Sequence, residues 1–326
     1  MNNYCPLIYH GIYVERFSNG THSVSPCCLS RKSIPFSDAI DFSNNLHLSN
    51  IRNENKNNLR PLACKPCWEL EDRGGESKRQ VSIDLFKNNN ISLDYNVELV
   101  NLDYNTLPLC NAKCVICGPR YSSTWAAAVG RSLKNILANN HDHINGIDLN
   151  NVKIVYFNGG EPLLTDEHLT VLKKIKNLPE VEITYNTNGS CYPSDEAIDI
   201  WARSKSVTIL FSIDGIKERF EETRTPLKWD IVSANIQKIY SLKNIKVQCS
   251  YTIGRHNVYD LEDTIKWFET LPGFDAITQF HVHYVNPGHG LDLKKASADE
   301  KQQFKTELSK FTNFYWHESI TKIIES

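Results

Sequence analysis

The 326-residue sequence carries no strong charge of either sign, with 36 lysines and arginines against 38 aspartates and glutamates. That balance excludes the global field by which a protein holds nucleic acid or an anionic membrane surface, so nucleic acid is not an expected partner. No apolar run approaches the roughly 20 residues of a membrane helix. The opening Met1-Asn2-Asn3-Tyr4-Cys5 has neither the charged nor the apolar region of a signal peptide, and the chain is expected in the cytoplasm. Gly74-Gly75 lacks the spacing and the Lys-Ser or Lys-Thr pair of a phosphate loop, and no internal repeat is apparent. Without an export signal, ten cysteines in a chain of this length are not the disulfide framework of a small secreted domain. They fall into metal-like groups and are expected to be reduced.

What is present is the run Leu109-Cys110-Asn111-Ala112-Lys113-Cys114-Val115-Ile116-Cys117-Gly118-Pro119. Three thiolates can hold three irons of a cube and leave the fourth iron without a protein ligand. A structural zinc site closes with four ligands, and the nearest downstream histidines, His141 and His143, lie beyond a predicted helix. Bacterial ferredoxins keep two residues between each of their first three cysteines, so the wider first gap here argues against simple electron transfer. Thiols packed as small hydrophobes are the remaining reading.

Three strand ends downstream carry polar turns. An apolar run over 154–157 ends in Asn158-Gly159-Gly160-Glu161-Pro162, where paired glycines admit a ligand close to the backbone and a carboxylate can accept from an ammonium group. Alone, such a sequence is an ordinary turn. Residues 181–185 lead into Asn186-Thr187-Asn188-Gly189, and 207–211 into Ser212-Ile213-Asp214-Gly215, where Asp-Gly is also a common turn pair.

Together these residues resemble the radical S-adenosylmethionine (radical SAM) superfamily, whose signature is a Cys-x3-Cys-x2-Cys loop followed by a Gly-Gly-Glu-Pro strand end. The resemblance implies that Cys110, Cys114 and Cys117 carry a [4Fe-4S] cluster whose open iron chelates the amine and carboxylate of S-adenosylmethionine. It also implies cofactor contacts from Gly159, Gly160, Glu161, Asn186, Ser212 and Asp214, with Glu161 holding the amine. Relatives often place an aromatic residue before the third cysteine, near adenine; here Ile116 takes that place. Arg255, after the fifth strand, is a candidate for the cofactor carboxylate or for the surface. His281 and His283 share one face of the last strand, and His283 is a candidate to line the site, with a hydrogen-bonded core role as the alternative.

From about residue 97, apolar runs at 97–102, 152–157, 181–185, 207–211, 247–253 and 277–285 alternate with helical patterns and predict a parallel α/β sheet. Trp125, Val129, Leu133, Ile136 and Leu137 fall on one helical face; so do Val232, Ile236, Ile239 and Tyr240, and so do Leu261, Ile265 and Phe268. Such stripes are the signature of core packing. Ser297 with Glu300 predicts a capping box for a last helix bearing Phe304, Leu308 and Phe311. Periodicity does not choose between an open and a curved sheet. The resemblance implies a partial (β/α)6 barrel over 91–326.

Residues 1–90 differ. They show little alternation, an Asn-rich stretch over 44–58, and five cysteines, Cys5, Cys27, Cys28, Cys64 and Cys67. A loop-rich segment gains folding free energy from metal ligation. Cys5-Pro6, the strand-like Gly11-Ile12-Tyr13-Val14-Glu15, Asn19-Gly20 and Ser25-Pro26-Cys27-Cys28 look like the auxiliary-cluster module called SPASM or its shorter form, twitch, although such modules usually follow the barrel. Cys5, one of Cys27 and Cys28, Cys64 and Cys67 would complete a second [4Fe-4S] site, with all-cysteine zinc as the alternative. The charge-dense stretch 69–79 reads as solvated surface or linker.

The resemblance further implies reductive cleavage of the cofactor to a 5′-deoxyadenosyl radical that abstracts hydrogen from substrate, fed by an electron donor such as flavodoxin or ferredoxin. An auxiliary cluster points to a peptide or protein substrate, modified oxidatively, cross-linked or epimerised. The alternatives are a small molecule, nucleoside or RNA substrate, and a non-catalytic iron-sulfur redox or binding protein. Cys191 and Cys249 lie outside both clusters and are candidate hydrogen donors, against the commoner role of buried structural cysteine.

Overall fold

The computed structural model describes residues 3–16, 22–31, 34–35, 42–131, 146–285 and 289–325. They divide into two compact units, each discontinuous in sequence: 1–108 with 132–183 and 203–205, and 109–131 with 184–202 and 206–326. No helix among the described residues is long and apolar enough to cross a membrane.

The first unit is built on β1 (Gly11–Arg16), β2 (His22–Ser25), β3 (Ile34–Pro35), β4 (Asn101–Asn105) and β5 (Ile154–Asn158), in the order β3-β2-β1-β4-β5. β2 runs antiparallel to β1 and β3, whereas β1, β4 and β5 are parallel. Ile12, Val14, Leu102, Tyr104, Val155 and Phe157 are all buried. The period of two sends their neighbours Tyr13, Asp103, Asn105, Tyr156 and Asn158 to the opposite, polar face. Among the described residues the first ninety positions are not loop-rich: besides three strands they form helices Pro6–His10, Leu46–Lys56, Lys65–Glu71 and Lys78–Asn88. The expected strand over 97–102 runs instead from Asn101 to Asn105, where every residue after Asn101 is buried.

The second unit holds most of β6 (Glu182–Thr187), then β7 (Ser206–Ser212), β8 (Ile245–Ile253) and β9 (Phe280–Tyr284), in sequence order, with β7, β8 and β9 parallel. Val207, Ile209, Phe211, Val247, Tyr251 and Ile253 make its buried strand face, covered by stripes such as Val232, Ile236 and Ile239 of helix Trp229–Tyr240. The mixed, mostly parallel sheets flanked by helices are consistent with a partial (β/α) barrel. β9 starts three residues later than predicted, because the Asp275 carboxylate accepts from Ile277 N and caps a short helix, Ala276–Gln279. Helix Ser123–Ala128 ends before Val129, which is exposed and leaves the predicted stripe. Leu133, Ile136 and Leu137 lie outside the described residues, as do Asn19 and Gly20. The Ser297–Glu300 capping box is present.

Candidate active site

In the second unit the cysteine loop is pinned from two sides. Ser123 Oγ meets both the N–H and the carbonyl of Cys110 at 3.0 Å, Thr124 Oγ1 donates to the same carbonyl at 2.6 Å, and Trp125 Nε1 donates to the Cys114 carbonyl at 2.9 Å. On the other side, Lys113 N donates to Thr225 O at 2.6 Å and Val115 N to Thr223 O at 2.9 Å. Cys110 and Cys114 are buried and Cys117 partly so. Burial pushes the Cys114 thiol up to about 11, with Arg224 pulling the other way, and raises that of Cys117 as well. A protonated thiol must release its proton to become a metal ligand.

Asn188 and, through Arg224, Asp214 reach this loop from neighbouring strand ends. Asn188 Nδ2 lies 3.9 Å from Cys110 Sγ and donates to Asn111 Oδ1 at 3.1 Å, while Ser212 Oγ donates to Asn186 Oδ1 at 2.8 Å. The fully buried Asp214 accepts from Thr252 N at 2.7 Å and pairs with Arg224 at 2.6 Å. Arg224 Nη1 in turn donates to Cys114 Sγ at 3.7 Å. Sequence reasoning missed Arg224, Asn188 and Asn111. The two asparagines stood inside motifs already singled out, but Arg224 had no local signal.

The remaining candidates of this unit are dispersed. Cys249 is fully buried on β8, and burial lifts its thiol well above the ordinary range, with Asp214 adding and Arg224 opposing. Cys191 is half-buried beside Ser190 Oγ at 3.7 Å. Ile116 is half-buried. Arg255 is engaged by Glu300, at 2.9 and 3.1 Å from its two oxygens. His283 is still reached by solvent at the edge of β9, but the protein packed around it holds it below the ordinary imidazole range, with Asp214 pulling it up.

The Gly-Gly-Glu turn belongs to the first unit. Gly159 has φ +118°, and a Cβ there would sit 2.6 Å from the Thr106 carbonyl oxygen, so only glycine fits. Gly160 is half-buried. Glu161 is buried, and its carboxylate accepts from Leu163 N at 3.1 Å, capping the turn Pro162–Leu164.

The first unit also gathers four of the early thiols. Cys5, Cys27, Cys64 and Cys67 line one pocket with Trp68, Lys78 and Arg79. Cys5 precedes helix Pro6–His10, and Cys64 and Cys67 stand one turn apart at the start of helix Lys65–Glu71. Burial pushes the Cys5 and Cys27 thiols up to about 12 and raises Cys64 too. Cys28 is exposed and outside this pocket, accepting from Lys78 Nζ at 3.2 Å. Among the described residues no three ligands converge on a position for a single metal ion. Zinc needs its thiolates about 2.3 Å from one shared centre, whereas a cube takes one thiolate per iron and spreads them apart.

Two residues of that pocket's wall, Lys78 and Arg79, come from the stretch expected to be solvated. Arg79 is buried, paired with Glu71 at 2.7 and 2.9 Å, donating to Tyr4 O at 2.9 Å and standing over the Trp68 ring at 5.1 Å. Ser77 Oγ donates to Glu71 Oε1 at 2.5 Å while capping helix Lys78–Asn88. On the polar face of β4, Asp103 is buried, accepts from Asn158 Nδ2 at 2.9 Å and lies 3.7 Å from Lys78 Nζ.

The sequence model of the radical SAM superfamily matches residues 104–268, half of the chain. No curated protein matches. Among solved structures, native anSMEcpe with bound AdoMet is 17% identical over 68% of this chain and 62% of its own, with a TM-score of 0.44. Streptococcus suis SuiB bound to S-adenosylmethionine is 17% identical over 72% of this chain and 51% of its own, with a TM-score of 0.40. SuiB bound to its precursor peptide SuiA is 15% identical over 72% and 49%, with a TM-score of 0.38. The chain thus spans about three fifths of the length of the first of these and about half of the other two.

Proposed function

The chain belongs to the radical SAM superfamily, and from that premise we propose that it is a peptide- or protein-modifying enzyme with two iron-sulfur centres. Membership makes it a radical SAM enzyme and implies an iron-sulfur cluster with S-adenosylmethionine. The bound pair supplies a carbon-centred radical that removes hydrogen from substrate. Cys110, Cys114 and Cys117 are the proposed ligands of the open cluster, in a loop that Ser123, Thr124 and Trp125 hold in shape. Glu161 is proposed for the cofactor amine, and Asn186, Ser212 and Asp214 for its other polar groups.

Residues 1–90 are proposed as the SPASM- or twitch-like auxiliary region and 91–326 as the barrel proper. Cys5, Cys27, Cys64 and Cys67 are the proposed auxiliary ligands, and the observation that carries this reading is their meeting in one pocket from three separate segments. Cys28, outside it, is left free of metal. Held by these four thiolates, a second centre would supply an electron acceptor, which suits an oxidative outcome. The test is anaerobic incubation with candidate precursor peptides, reductant and cofactor, followed by mass spectrometry. A peptide that changes mass by loss of hydrogen supports the reading; cofactor cleavage with no peptide altered contradicts it.

A further inference from the structure

We propose that Arg224 is a positioning residue of the iron-sulfur site, one that seats the Cys114 sulfur and sets how readily the bound cluster accepts an electron. This rests on the assignment of Cys110, Cys114 and Cys117 as its ligands.

Arg224 is 6% exposed and bridges two groups of opposite kind, the Asp214 carboxylate at 2.6 Å and the Cys114 sulfur at 3.7 Å. Neither end is free to drift. Asp214 is fixed by Thr252 N at 2.7 Å, and its carbonyl accepts from Asn257 Nδ2 at 3.1 Å. The backbone on both sides of Arg224 is tied to the cysteine loop, through Thr223 O to Val115 N and Thr225 O to Lys113 N. The backbone that carries the guanidinium is thus fixed to the loop, and Asp214 pairs with its Nη2 while Nη1 meets the sulfur.

The consequence is electrostatic. A cluster becomes more negative by one charge when reduced, and the field of a cation acts strongly where water is excluded. Hydrogen bonds to ligand sulfurs and local net charge are the levers that set cluster potentials. Asp214 offsets part of the charge through Nη2, but Nη1 is the group that meets Cys114, so the cation outweighs the carboxylate at the sulfur. Arg224 therefore favours the reduced cluster and Asp214 opposes it. A purely structural ion pair would hold the loop without this opposition of signs.

The test is an EPR-monitored redox titration of the full chain after anaerobic reconstitution. The signal perturbed by added S-adenosylmethionine identifies the open cluster. Arg224→Met should lower its midpoint potential, Arg224→Lys should keep it near that of the wild type, and Asp214→Asn should raise it. Full iron content in Arg224→Met with an unchanged midpoint would overturn the proposal. Where Arg224→Met does not fold, a midpoint in Asp214→Asn that is unchanged or lowered overturns it instead. A wild-type chain with no cofactor-perturbed signal defeats the ligand assignment itself, and so separates the two failures.

Discussion

Single residues carry the constraints that local chemistry imposes, and Gly159 is the sharpest of them. Its φ of +118° and the 2.6 Å approach of a Cβ to Thr106 O leave no room for a side chain. Gly159→Ala is expected to cost at least about 1–3 kcal/mol, read as a lower urea midpoint, since such conformations carry strain of that order. A midpoint equal to wild type would show that the turn relaxes. The turn at this glycine was legible in the sequence as a Gly-Gly pair after a strand, but its neighbour Thr106, distant in the chain, was not. Nor was Arg224, because its partner sulfur lies 110 residues away and only the fold joins them. Cys27 and Cys28 could not be told apart as neighbours either; the bend after β2 sends Cys27 into the thiol pocket and leaves Cys28 beside Lys78.

At the scale of elements, alternation and caps placed strands and helices well where one face is apolar. β7, β8 and the stripe of helix Trp229–Tyr240 follow their sequence pattern closely. The misplaced ends arise where a polar side chain intervenes, as with the Asp275 cap ahead of β9. In the run 69–79, Asp72, Arg73 and Glu76 are exposed as expected, but charge density does not reveal pairing, and Glu71 and Arg79 satisfy each other out of water. β9 also carries a pH dependence. Burial holds His281 down to about 4 from an ordinary 6.5, aided by His283 and Lys246, while its Nδ1 meets Tyr315 Oη at 2.6 Å. The folded state then resists a proton that the unfolded chain accepts, so stability present above pH 6.5 is lost as the pH falls toward 4. His281→Gln should flatten the fall in Tm between those values; an unchanged slope would assign it to other groups.

For the molecule as a whole, the parallel α/β class followed from repeated strand-helix alternation. The contribution of residues 1–90 did not, since β1 enters its sheet beside a strand some ninety positions later. Burial raises the Cys5 and Cys114 thiols, so taking up metal there as thiolates releases protons and proceeds more readily as the pH rises. Their chemistry is separable by variant. Anaerobic assay of the reduced, reconstituted full chain for 5′-deoxyadenosine decides whether the loop at Cys110, Cys114 and Cys117 is the reactive centre. The wild type should form it together with methionine, and Cys114→Ala should form none while keeping iron at the N-terminal pocket. A wild-type chain with both centres assembled that yields no 5′-deoxyadenosine, or a Cys114→Ala chain that still does, would contradict that assignment.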